Sequence, residues 1–83
     1  MNTFLLKVRK LREIHGYPQE YVAFQLGISQ AAYSKKESGR TQLSLLCLTK
    51  LAELYQLSLT DFISLSAQEL LLRCIQSNQK LAA

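Results

Sequence analysis

Between Gln19 and Ser38 the chain reads QEYVAFQLGISQAAYSKKES, a stretch rich in amides, hydroxyls and ammonium groups: Gln19, Ser29, Gln30, Ser34, Lys35, Lys36 and Ser38. These side chains suit recognition rather than bond-breaking. A glutamine amide sets a donor beside an acceptor, the pattern that matches N6 and N7 of adenine in the DNA major groove. Serine and lysine side chains bond to phosphate oxygens. The run Gln30-Ala31-Ala32 has no large apolar residue. Small and hydrogen-bonding side chains suit the tip of a helix that must enter a groove about 12 Å wide.

To present these residues the segment must fold as two helices around a tight corner at Gly27. Pro18 is preorganised for a first helical turn and opens the second helix, with Glu20 near its positive end. Val22, Ala23 and Leu26 supply its packing surface, with Tyr21 beside them. Ile28 packs the turn, and Ser29 is a natural cap for a third helix over about 30–38 that stops at Gly39. Upstream, Phe4, Val8, Leu11 and His15 recur on one face of a first helix over 3–15, with Lys7, Arg9, Lys10 and Glu13 off it. His15-Gly16 ends it, and no partner for His15 is visible. Downstream, Ser44 caps a fourth helix over about 45–56, whose expected core stripe is Leu45, Leu48, Leu51, Ala52 and Tyr55. Leu46 and Cys47 fall outside that stripe. Ser58-Leu-Thr-Asp61 resembles a capping box and opens a short fifth helix with Phe62 and Ile63. Ser66-Ala-Gln-Glu69 is a full capping box for a sixth helix to about Gln79, with the stripe Ala67, Leu70, Leu71, Cys74, Ile75 and with Leu72 opposite. No strand pattern is present.

The chain has 83 residues, enough for one modest core, and is 48% hydrophobic. Residues 1–40 hold seven Lys or Arg against three Glu, whereas the rest balances three against three. The excess positive charge therefore lies with the candidate corner, where phosphates would need it. Cys47 and Cys74 match no metal spacing, and one histidine does not complete a zinc site. Both read as small buried or interface hydrophobes in a reducing compartment. No signal peptide and no apolar run of about 18–20 residues is visible, so a cytoplasmic, nucleoid-associated protein is expected. With no Ser/Cys–His pair, carboxylate cluster or phosphate-cradling glycine loop in the sequence, neither an enzyme nor a cofactor is expected.

Taken together, Val8-Arg-Lys-Leu-Arg12, Pro18-Gln-Glu-Tyr-Val-Ala23, Leu26-Gly-Ile-Ser-Gln30, Tyr33-Ser-Lys35 and Glu37-Ser-Gly-Arg40, followed by Ser44-Leu45, Leu48, Leu51-Ala52 and Leu57-Ser58, resemble the Cro/C1-type (XRE) helix-turn-helix regulators of bacteria and phages. The resemblance covers about Val8 to Ile63. It implies an all-α fold, a compact bundle of about five helices of the lambda-repressor-like type, here with an additional C-terminal helix. Residues 1–65 would form the DNA-binding unit, and 66–83 would pack on the core or on a dimer partner.

The resemblance also assigns roles. Gln19 would anchor to phosphate and buttress Gln30, the first residue of the recognition helix. Ala31 would reach no more than a thymine methyl, and Ser34 would continue the exposed face. Lys35 would reach a guanine edge or a phosphate, with nothing to choose between them. Ser29, Ser38 and Arg40 stand where the family holds the sugar-phosphate backbone. Val22, Ala23, Leu26, Gly27, Ile28 and Tyr33 fill structural positions, and Arg12 and Glu37 match a pair that joins the first helix to the end of the third. Lys36 departs from the pattern, because the position is normally apolar. Either its stem covers the core edge while the ammonium escapes, or the third helix is rotated or shortened.

The implied partner is double-stranded DNA, read as an inverted repeat by a homodimer acting as a repressor. An antitoxin-type autorepressor with a toxin-binding surface on the sixth helix, and an interaction module that keeps the fold without the DNA function, are the alternatives. Leu46, Leu54 and both sides of the sixth helix exceed what so small a core can cover, which points to a partner surface.

Overall fold

The computed structural model describes residues 3–82, with side chains as far as Ile75. Met1, Asn2 and Ala83, at the outer ends of the two expected segments, lie outside the described residues. Six helices follow in order: α1 (Thr3–Ile14), α2 (Gln19–Leu26), α3 (Gln30–Glu37), α4 (Leu45–Leu54), α5 (Leu59–Ser64) and α6 (Ala67–Ala82). The fold is all-α, as the sequence predicts.

Local signals set most boundaries. Ser29, Ser44 and Ser58 are extended at their caps, and each hydroxyl oxygen accepts the backbone N–H three residues on, at 3.1 Å in every case. Ser66 and Glu69 close the full capping box in both directions at 3.2 Å. The Asp61 carboxylate does not complete its box. It pairs instead with Arg73 of α6, tying α5 to the C-terminal helix.

Val8, Leu11, Val22, Ala23, Leu26, Tyr33, Leu51, Ala52, Tyr55, Phe62, Leu70 and Cys74 form one continuous core. Each fully buried leucine or phenylalanine in it contributes about 1.5–3 kcal/mol through removal of apolar surface from water. α2 packs on α3 and α4, and α1 packs on α3 and α6.

Several expectations are corrected. On α4 Leu51, Ala52 and Tyr55 are buried and Leu48 packs against the core as expected, but Cys47 is buried in place of Leu45, which stands out in solvent beside Leu46. Residues 45–48 are all apolar, so periodicity alone does not choose between the two settings. On α6 Leu70 and Cys74 are buried while Ile75 is exposed, and on α5 Ile63 is exposed next to a fully buried Phe62. On α1 Lys7 turns inward rather than outward. Its ammonium donates to the carbonyls of Ile63 and Leu65, both at 3.0 Å, and lies 4.8 Å from the centre of the Phe4 ring. Carbonyls at the end of α5 and an aromatic face replace its hydration, and burial pushes its pKa down.

His15, expected to be unpartnered, meets Cys74. Its Nδ1 lies 2.8 Å from the Leu11 carbonyl, so that nitrogen donates there, and Nε2 faces the Cys74 Sγ at 3.9 Å. Burial pushes the thiol pKa up, which keeps Cys74 a protonated donor to the ring. The pair closes the α1–α6 seam.

Candidate nucleic-acid interface

The corner between α2 and α3 consists of Gly27, Ile28 and Ser29. Gly27 takes φ +73°, a left-handed setting that favours glycine, and the Ile28 N–H closes back on the Ala23 carbonyl at 3.0 Å. Any other residue there would carry a strained Cβ, and the angle between the two helices depends on this turn.

α3 is anchored by Tyr33 and Glu37, one helical turn apart and both buried. Its opposite edge is thereby fixed. Gln30, Ala31, Lys35 and Ser38 are exposed, and Ser34 is half-buried. The Ser29 oxygen is occupied by the Ala32 N–H, which leaves its proton available to an acceptor. The Ser38 hydroxyl proton is engaged with the Lys35 carbonyl at 3.1 Å. Arg40 follows in the loop and is exposed.

Beneath α3 lies an ion pair. Arg12 Nε and Nη2 donate to the two oxygens of Glu37 at 2.9 and 3.0 Å, and Nη1 donates to the Tyr17 carbonyl at 2.9 Å. Burial opposes the Glu37 charge, yet the two hydrogen bonds from Arg12 and the Arg12 charge hold its pKa below the usual carboxylate range. The same pair raises Arg12. Tyr33 is pushed well up by burial and by its neighbour Glu37.

The pair continues outward through two amides. Gln19 Nε2 donates to Glu37 Oε1 at 3.4 Å, and Gln30 Nε2 donates to Gln19 Oε1 at 3.5 Å. The two glutamines that the sequence singles out are thus neighbours. Beside Gln19 a cleft of about 210 Å³ is lined by Arg9, Arg12, Gln19, Ser34, Glu37 and Ser38. Arg9 was not legible as a site residue, because nothing in its local sequence distinguishes it from the other cations of α1. Phe24, exposed at 78% on the outer side of α2, was likewise unmarked.

The charge balance is also refined. Of the seven cations in the first forty residues, Lys7 and Arg12 are drawn inward, and Lys10 lines a groove with Ile14 and Leu71. Lys36 keeps its register: its half-buried stem lies along the bundle and its ammonium donates to the Gln42 carbonyl at 3.0 Å. α3 runs from Gln30 to Glu37 with Tyr33 and Glu37 buried on its inner face.

The helix-turn-helix family matches residues 8–62, well over half of the chain and the whole of the corner with its supporting helices. The chain belongs to the Cro/C1-type helix-turn-helix (XRE) family. Neither a curated protein nor a solved structure matches it. As a member of this family, the protein is a DNA-binding helix-turn-helix regulator. Among the described residues no group of His, Cys, Asp or Glu is placed to hold a metal ion, and no helix is long and apolar enough to cross a membrane.

Proposed function

We propose that this helix-turn-helix protein is a repressor that binds an inverted-repeat operator as a homodimer, with α3 in the major groove. The observation that carries the reading is the exposed edge of α3: Gln30 is braced by Gln19, while Tyr33 and Glu37 anchor the opposite face. Gln30 reads adenine, Ala31 touches a thymine methyl, and Ser34 and Lys35 extend the contact along the groove. Gln19, Ser29 and Arg40 bond to the sugar-phosphate backbone, Ser38 joins them by turning its hydroxyl from the Lys35 carbonyl to a phosphate oxygen, and the cleft beside Arg9 receives a phosphate. Residues 1–65 form the DNA-reading unit in this proposal, and the helix beyond it serves assembly.

Arg40→Ala is expected to weaken binding to every duplex to a similar extent and to reduce the salt slope by about one unit. Fluorescence anisotropy across a salt series measures this, and an unchanged slope removes Arg40 from the interface.

Dimerisation in this proposal uses the apolar face shared by α1 and α6, where Leu6, Ile14, Leu72 and Ile75 are exposed. Reading two half-sites one turn of DNA apart requires the paired recognition helices to sit about 34 Å apart. Leu72→Asp is expected to give a folded monomer in sedimentation equilibrium, because Leu72 is 59% exposed in the isolated chain. A persistent dimer transfers the interface to the exposed Leu45, Leu46 and Ile63 of α4 and α5.

A further inference from the structure

We propose that Glu37 is a positioning residue that sets the hydrogen-bond polarity of the Gln19–Gln30 pair, and that it thereby makes Gln30 prefer adenine over guanine. The inference rests on Gln30 as the base reader.

An unconstrained glutamine amide turns either way and offers either its oxygen or its NH2 to a neighbour. An ionised carboxylate has no such freedom, because it only accepts. Glu37 is buried, and both of its oxygens are fixed by Arg12. Gln19 therefore turns its NH2 inward, toward Oε1 of Glu37 at 3.4 Å, since the opposite setting would oppose two oxygens. Its own Oε1 then faces outward and accepts from Gln30 Nε2 at 3.5 Å. One N–H of Gln30 is thereby engaged, and the other N–H and Oε1 remain. That leaves one donor and one acceptor for the groove. Adenine offers the complement, an acceptor at N7 and a donor at N6, whereas guanine offers acceptors at both N7 and O6. A buried negative charge three side chains back from the base thus selects which base satisfies Gln30.

The test is Glu37→Gln, which keeps the shape but offers Gln19 either an oxygen or an NH2. Binding is measured on operator duplexes carrying A·T or G·C at the position read by Gln30, and on a scrambled duplex. The preference for A·T is expected to fall roughly tenfold, with binding to the scrambled duplex unchanged. An intact preference overturns the proposal. Arg12→Lys weakens the ion pair but keeps the carboxylate. It is expected to lower stability and to keep the preference, and equal loss of preference in both variants makes the effect one of packing and overturns the proposal.

Gln30→Ala, run alongside, separates the two claims. A preference that survives it overturns Gln30 as the reader, whereas a preference lost in it but retained in Glu37→Gln overturns Glu37 alone.

A measurement on the unmodified, DNA-free protein covers the case in which Glu37→Gln does not fold. The charged and titratable groups around Glu37 are Arg12 and Tyr33, with Tyr55 behind them and Arg9 in the same cleft. As the carboxyl takes up a proton it gains a donor, so the side-chain NH2 signals of Gln19 and Gln30 are expected to shift together in NMR at the Glu37 midpoint. Signals indifferent to that midpoint overturn the proposal.

Discussion

Replacing Arg12 by alanine is expected to lower the unfolding free energy by about 3–5 kcal/mol, the cost of leaving a buried partner charge uncompensated. The Glu37 side chain is 5% exposed and the Arg12 side chain 14%, so solvent would screen the orphaned carboxylate only weakly. Urea denaturation at neutral pH measures the loss, and a change below about 1 kcal/mol would rank the pair with ordinary surface bridges. The pH dependence has a definite sign. Burial opposes the Glu37 charge, but its hydrogen bonds and the Arg12 charge hold the folded-state pKa below that of the unfolded chain. The pair's contribution is therefore fully present at neutral pH and is lost as pH falls through that lowered value. In Arg12→Ala burial is left unopposed by the guanidinium, so the Glu37 pKa moves up and this acid-side loss of stability is expected to disappear.

The second large effect concerns recognition. Gln30→Ala is expected to weaken operator binding by about 1–3 kcal/mol, the worth of one bidentate base contact. Binding to unrelated DNA is spared, because that term comes from phosphates. Gln30 is exposed and ends no buried network except through Gln19, so the variant folds normally. Equal losses on operator and scrambled duplexes would take Gln30 out of base readout.

Arg12 and Gln30 stand at the two ends of one connection. The ion pair that holds α1 against α3 is also the base on which Gln19 and Gln30 are stacked, at 3.4 and 3.5 Å. Stability and specificity in this regulator are therefore coupled through Glu37. Substitutions there are expected to change both, whereas those at Arg40 or Leu72 change one property alone.

Legibility in the sequence varied with the range of the interaction. Pro18, Gly27, Ser29, Ser44, Ser58 and Ser66 act within one helical turn, and the helices begin or end beside them. Where a boundary signal is local chemistry, the residue alone suffices. Only the first turn of α4 departs from its expected face, with Cys47 inward in place of Leu45, because Leu45, Leu46, Cys47 and Leu48 supply apolar side chains all round that turn. The choice between them is made by α2 and α5, which the helix itself does not encode. Lys7 was misread for a related reason: the carbonyls that accept its ammonium lie 56 and 58 residues away. The same holds for the meeting of His15 and Cys74, 59 residues apart. In the candidate interface the exposed edge of α3 was legible from its small and polar residues. The acceptor-only group behind it was not, because the contact between Gln19 and Glu37 exists only once α2 and α3 are packed.

The most direct measurement is the binding of the full chain to the DNA upstream of its own coding sequence, beside a scrambled duplex of equal length, at two salt concentrations. The account predicts preferential, strongly salt-dependent binding, with a footprint of twofold symmetry whose halves lie about one turn of DNA apart. Absence of binding to either duplex at the lower salt would contradict it. The exposed leucines of α4 and α6 would then mark a module whose partner is another protein.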